Sequence, residues 1–218
     1  MCDIIPGILE KDWESIEKKI KTVETLTNRI HIDIIDGKFS ENKTFLDPEP
    51  FAKYSDKFFL ELHMMVEEPI NFLEPYAKAG FKRFLGHIEK MSSQEDFVAK
   101  GQVLGEVGLA IDGPTSVDEL KVNLEDLDAI LIMTIKAGYS GQAFMPENLK
   151  KIEALIERFK NENILKKPTI EVDGGTNDQT IILSNKSGAK RFVATSYIFK
   201  EDPIAQFNKL KELISGGN

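Results

Sequence analysis

Short apolar runs alternate with amphipathic segments along the whole chain. Asp3–Ile8, Ile30–Ile35, Phe58–Met64, Arg83–His87, Val107–Ile111, Ala129–Ile135, Thr169–Val172 and Arg191–Ala194 read as buried strands. Lys11–Thr25 sets Trp13, Ile16, Ile20 and Val23 on one helical face. Further helices are predicted at Pro50–Tyr54, Pro69–Ala79, Ser93–Leu104, Val117–Leu124, Glu147–Asn161, Asp178–Asn185 and Pro203–Ile214. Pro69 suits a first helical position and Gly80 a helix end. Strict alternation of strand and helix implies parallel pairing. Eight such units in 218 residues predict an α/β fold, a (β/α)8 TIM barrel, with 1–218 as a single domain. A doubly wound open sheet is the alternative.

The barrel places active-site residues at the C-terminal ends of strands. His31, Asp33, His63, His87 and Asp173 fall at or near those ends. His31 and Asp33, two apart on a strand, share a face. Singly, each has an ordinary reading: a satisfied core histidine, or an aspartate capping a loop. Jointly, two imidazoles and two carboxylates in one layer suit a divalent transition metal, and the carboxylates suit proton transfer. Three small-residue loops follow the late strands: Gly138-Tyr139-Ser140-Gly141-Gln142, Gly174-Gly175, and Thr195-Ser196. Such loops offer backbone N–H groups to a phosphate.

Composition narrows the partners. A net charge of -8 argues against general nucleic-acid binding. A single cysteine, Cys2, excludes an intrachain disulfide and fits a reducing compartment. No signal peptide and no membrane-spanning run is visible, so a cytoplasmic location is expected. Trp13, Phe72 and Phe207 read as helix packing, Lys150–Lys167 as a solvated face, and Asp36-Gly37 as a turn.

Taken together, these motifs resemble the ribulose-phosphate 3-epimerase family over nearly the whole chain. The carrying segments are His31-Ile32-Asp33-Ile34-Ile35-Asp36-Gly37, Leu62-His63-Met64-Met65-Val66, His87-Ile88-Glu89, Leu131-Ile132-Met133, Gly138 through Pro146, and Glu171-Val172-Asp173-Gly174-Gly175. The resemblance implies inversion at carbon 3 of a ketose phosphate, most simply ribulose 5-phosphate to xylulose 5-phosphate. It implies one divalent metal (zinc, iron, manganese or cobalt) on His31, Asp33, His63 and Asp173. Asp33 and Asp173 would then be the acid/base pair, one on each face of a planar enediolate. Substrate contacts are expected at Gly7, Met65, Met133, Gly138, Gly141, Gln142, Gly174, Gly175, Thr195 and Ser196. The resemblance also suggests a homo-oligomer.

Some positions depart from the family pattern. Gly7 stands where a substrate-contacting serine is usual, Ile35 where a pocket methionine is usual, and Thr195 where a glycine is usual. Lys136-Ala137 and Asp112-Gly113-Pro114 are further departures. Related allulose-phosphate epimerases carry a Thr-Ser like Thr195-Ser196, so allulose 6-phosphate is an alternative substrate. A non-catalytic phosphosugar-binding protein is a further alternative. A barrel decarboxylase or aldolase-type lyase is disfavoured, because those relatives carry Asp-x-Lys on the third strand and this chain has Glu61-Leu62-His63.

Overall fold

The computed structural model describes residues 2–215. Eight parallel strands close into a barrel in chain order, with the last pairing back to the first. They are β1 (Asp3–Ile8), β2 (Arg29–Ile35), β3 (Phe59–Met65), β4 (Phe81–His87), β5 (Glu106–Ile111), β6 (Ala129–Met133), β7 (Thr169–Asp173) and β8 (Arg191–Ala194). The helices are α1 (Trp13–Val23), α2 (Leu73–Lys78), α3 (Gln94–Leu104), α4 (Leu149–Asn161), α5 (Thr180–Ser187), α6 (Ser196–Phe199) and α7 (Pro203–Ser215).

Strand alternation sorts apolar side chains into two separate cores. Ile30, Ile32, Ile34, Leu60, Leu62 and Met64 face outward and pack with Ile16 and Ile20 of α1. Ile35, Met65, Leu85, Ala110, Leu131, Met133 and Val193 fill the barrel. His31, Asp33, Glu61, His63, Glu171 and Asp173 alternate with the outward set and are also buried. Their period-two spacing therefore sends polar groups into the barrel lumen.

Not every strand is followed by an α-helix. After β2 the chain forms a 3-10 helix at Glu49–Tyr54. After β5, where a helix over Val117–Leu124 is predicted, there are only 3-10 turns at Val117–Glu119 and Leu124–Asp126. Leu120, Val122 and Leu124 are all buried, which is a period of two rather than a helical one. Ser116 and Asn123 each accept a backbone N–H two residues on, starting two separate turns. The predicted Pro69–Ala79 helix is also split, into a 3-10 turn at Pro69–Asn71 and α2. Pro75 lacks the N–H a continuous helix would use, so it is tolerated only in the first turn of α2. β6 stops at Met133 rather than Ile135. The Thr134 hydroxyl there donates to the carbonyls of Asp173 and Gly174 and turns the chain away. No helix among the described residues is long and apolar enough to cross a membrane.

Candidate active site

The β2–β3 register sets Asp33 beside His63, and the β6–β7 register sets Met133 beside Asp173. His31 lies two residues deeper on β2. Ligand atoms of His31, Asp33, His63 and Asp173 all fall within 4.8 Å of one another. His31 Nε2 is 3.2 Å from Asp33 Oδ1. His63 Nδ1 is 2.8 Å from Asp33 Oδ1 and 3.4 Å from Asp173 Oδ2. All four residues are buried.

The electrostatics fit a site arranged around positive charge. Burial alone would raise the Asp33 carboxyl, but His31, then His63, bring it down to about 2. Burial opposes charging of His31, yet Asp33, Glu171 and Glu61 raise it well above an ordinary histidine. His63 is also raised against burial, by Asp173 and Asp33. The carboxylates thus draw positive charge even onto fully buried imidazoles. Two nitrogens and two carboxylate oxygens at this spacing are a donor set able to hold a divalent transition metal.

Groups behind the cluster fix how its histidines point. Glu61 Oε1 accepts from His31 Nδ1 at 2.6 Å, leaving Nε2 to face the cluster. Arg83 pairs with Glu61 and also donates from Nε to Glu106 Oε2 at 2.8 Å. Glu171 stands 3.5 Å from His31 Nδ1. Burial and the neighbouring Glu61 charge raise its carboxyl to about 7, and neither of its oxygens has a hydrogen-bond partner. On the other side, His63 Nε2 lies 2.9 Å from His87 Nε2, and His87 Nδ1 lies 2.9 Å from Glu89 Oε2. With Nδ1 of His63 turned to the cluster, its Nε2–H donates to His87, and His87 Nδ1–H donates to Glu89.

Glu61, Arg83 and Glu171 are absent from the residues expected at the site. Glu61 and Glu171 had a signal, lying two residues before His63 and Asp173 on the same strand face, whereas only the β3–β4 register sets Arg83 beside Glu61. His87 was placed at the right end of its strand, but its bond to His63 is visible only in three dimensions.

Above the cluster lies a narrow cavity of about 20 Å³. Its wall includes Met65, Met133, Gly138, Gly141, Gly174, Gly175, Thr195 and Ser196, together with Asp33 and Asp173. Two residues expected at substrate lie off this wall. The Gln142 amide instead donates to the carbonyls of Lys136 and Tyr139, both at 2.7 Å, and stitches its own loop. Gly7 is covered by Thr195, whose Oγ1 would be 2.3 Å from a Cβ at Gly7. The cavity is roofed where the β2 and β6 loops meet: Asn42 Nδ2 donates to Gly138 O at 2.9 Å, and a Cβ on Gly138 (φ +113°) would lie 2.6 Å from Ser40 Oγ. Asp36 shapes the β2 loop by accepting from the N–H groups of Lys38 and Phe39.

Fold and site together define a (β/α)8 barrel with two carboxylates converging on a cluster able to hold a cation. The model of the ribulose-phosphate 3 epimerase family matches residues 3–199, and the chain belongs to that family. It is accordingly an isomerase-type enzyme, a sugar-phosphate epimerase. The chain is 32% identical to the ribulose-phosphate 3-epimerase of Chlamydia pneumoniae, over 98% of this chain and 94% of that protein. It is 33% identical to the enzyme of the same name from Bacillus subtilis, over 91% of this chain and 93% of that protein. Among solved structures, 3-keto-L-gulonate-6-phosphate decarboxylase from Vibrio cholerae superposes with a TM-score of 0.70 at 13% identity, covering 98% of this chain and 97% of that one. That likeness reflects the shared barrel fold alone.

Proposed function

We propose that the chain inverts carbon 3 of a ketose phosphate, with ribulose 5-phosphate and xylulose 5-phosphate as the pair it interconverts. The observation that carries this reading is the convergence of Asp33 and Asp173, from β2 and β7, on one atom, His63 Nδ1, at 2.8 Å and 3.4 Å. Inversion needs a proton taken from one face of carbon 3 and another delivered to the opposite face. A single carboxylate would tend to return the proton it took. Two carboxylates reaching carbon 3 from opposite faces would remove this constraint.

In one direction, the first carboxylate accepts the carbon 3 proton. The electron pair of the broken C–H bond moves into the bond to carbon 2, and the carbonyl oxygen takes up the negative charge. The second carboxyl, already protonated, gives its proton to the other face of carbon 3. The two groups finish with their protonation states exchanged. His31, Asp33, His63 and Asp173 would hold one zinc, iron, manganese or cobalt ion. When bound, that ion supplies Lewis-acid stabilisation of negative charge on the substrate oxygen.

Gly174, Gly175, Thr195 and Ser196 line the cavity, and backbone N–H groups of such small-residue loops would receive the phosphate. Met65 and Met133 supply an apolar wall against the reacting carbons. The β2 and β6 loops meet over this cavity, where Asn42 donates to Gly138 O, and would shield the reacting carbons from water. Exclusion of water guards the enediolate phosphate against losing its phosphate. Allulose 6-phosphate is a second reading, favoured by Thr195-Ser196 in the β8 loop.

The test is solvent-deuterium incorporation at carbon 3, followed by NMR, with both sugar phosphates and with protein of known metal content. Exchange with inversion on ribulose 5-phosphate is expected. Metal-loaded protein that binds either sugar phosphate without exchanging its carbon 3 proton is a binding protein, and the proposal fails.

A further inference from the structure

The opposite end of the barrel carries a concavity of about 670 Å³ that the epimerase reading does not use. It opens among the N-terminal starts of β1, β2, β7 and β8 and the last turn of α4. Asp173 and Thr195 lie at the other ends of β7 and β8, about 13 Å away along the strands. That volume is in the range of small-molecule sites.

The charge of this mouth is opposite to that of the chain. Arg29, Lys160, Lys167, Lys190 and Arg191 line it, against one carboxylate, Asp3. Asp3 is already taken up by Arg29 at 3.3 Å. Among the described residues, Lys160, Lys167 and Lys190 enter no ion pair, although acids outnumber bases by 36 to 28 in the chain. Arg191 is largely buried, and its Nη1 has no hydrogen-bond partner. Its nearest carboxylate, on Glu171, is 3.9 Å away and already lies close to His31. A guanidinium removed from water without a matched acceptor is costly unless an anion compensates it. Burial and the neighbouring Arg83 charge lower its pKa, against the opposing pull of Glu171, Glu61 and Glu106. Ile156 of α4 adds an apolar edge beside the cations, with Phe159 buried behind it.

We propose that this N-terminal mouth is a second ligand site, which binds a polyphosphate-bearing small molecule of the nucleoside diphosphate class. Four excess positive charges match a diphosphate better than a single carboxylate, and the apolar edge of Ile156 lies beside them to meet the organic group. Lys160 and Lys167, within the stretch whose pattern reads as a plain solvated face, are thereby given a ligand.

ADP is the probe, titrated into the metal-loaded protein by calorimetry and by amide NMR. Saturable binding is expected, with shifts at Ile170, Lys190 and Arg191. The double variant Lys167→Glu/Lys190→Glu should bind ADP at least about tenfold more weakly, with sugar-phosphate turnover and Tm unchanged. If that variant loses Tm, Lys160→Glu alone should weaken ADP binding in the same direction. The proposal is overturned if ADP shows no saturation by about 5 mM. It is equally overturned if the shifts are confined to Gly174, Gly175, Thr195 and Ser196, or if the variants bind ADP as the parent does.

Discussion

A Cβ built on Gly7 of β1 would lie 2.3 Å from Oγ1 of Thr195, just past β8, and 2.8 Å from Cγ1 of Val193. By the family resemblance, serine is expected at position 7 and glycine at position 195. A serine at position 7 and the threonine at 195 would therefore compete for the same space. Thr195 Oγ1 occupies the room that a side chain at position 7 would need. Thr195 and Val193 are both β-branched and stiff at χ1, so neither yields easily.

Gly7→Ser alone is therefore expected to destabilise the protein by about 1–3 kcal/mol, through overpacking. Thr195→Gly added to it should recover part of that loss, because the colliding Oγ1 is gone. Thermal or urea unfolding of the four proteins in a double-mutant cycle measures this coupling. Equal losses from Gly7→Ser with and without Thr195 would show that the two side chains do not compete.

Glu61 sets the ring of His31 from behind, with Arg83 holding Glu61 in turn. Glu61→Gln keeps the shape but weakens the acceptor facing His31 Nδ1. Such partners of a metal-binding histidine are typically worth about 10–100-fold in metal affinity. A loss in that range, measured by competition with a chelator, is expected from Glu61→Gln. Glu106→Gln, which removes the carboxylate on the far side of Arg83, should change affinity much less. Unchanged affinity in Glu61→Gln would leave His31 oriented by packing alone.

Glu89 carries a pH dependence whose sign can be worked out. Burial would raise its carboxyl, but His87, Thr115 and the Asp112 N–H together bring it from 4.5 to about 2. A carboxyl lowered by folding stabilises the native state above its unfolded pKa. That contribution is lost as pH falls through the folded value. The Tm advantage of the parent over Glu89→Gln should therefore be full at pH 7, begin to shrink below about 4.5, and continue to close toward about 2. A Tm difference independent of pH across that window would assign the effect to shape rather than charge.

The barrel was legible because its strands are short apolar runs and its lumen residues repeat at every second position. His31, Asp33, His63 and Asp173 stood out because charge at a strand end has few ordinary uses. The segment after β5 was misread because Val117, Leu120 and Leu124 mimic helical spacing, while Val122 between them is also buried. For Glu61, Arg83 and Glu171, what the sequence does not carry is the pairing. An isolated charge in an apolar run carries no mark of which partner will neutralise it, and their partners come from other strands. The Gly7–Thr195 contact is hidden in the same way, since the two residues sit near opposite ends of the chain and meet only when β8 closes on β1.

The two carboxylates can be told apart from one another by what survives when one is removed. Asp173→Asn keeps a neutral oxygen in the cluster and leaves Asp33, His31 and His63 in place, so the fold should persist. General acid–base groups contribute about 10²–10⁴ to rate, and interconversion of the two epimers should fall at least that far. Asp33 can still take a proton from the face it reaches and return one exchanged with solvent to that same face. Asp173→Asn should therefore wash deuterium into carbon 3 of one epimer without inverting it, and leave the other epimer untouched. Asp33→Asn should show the reverse preference. NMR of each pure epimer in deuterated buffer reads both quantities at once, with metal content checked in the same samples. Near-normal inversion by Asp173→Asn, or equal exchange into both epimers, would mean that a group other than this pair carries the protons.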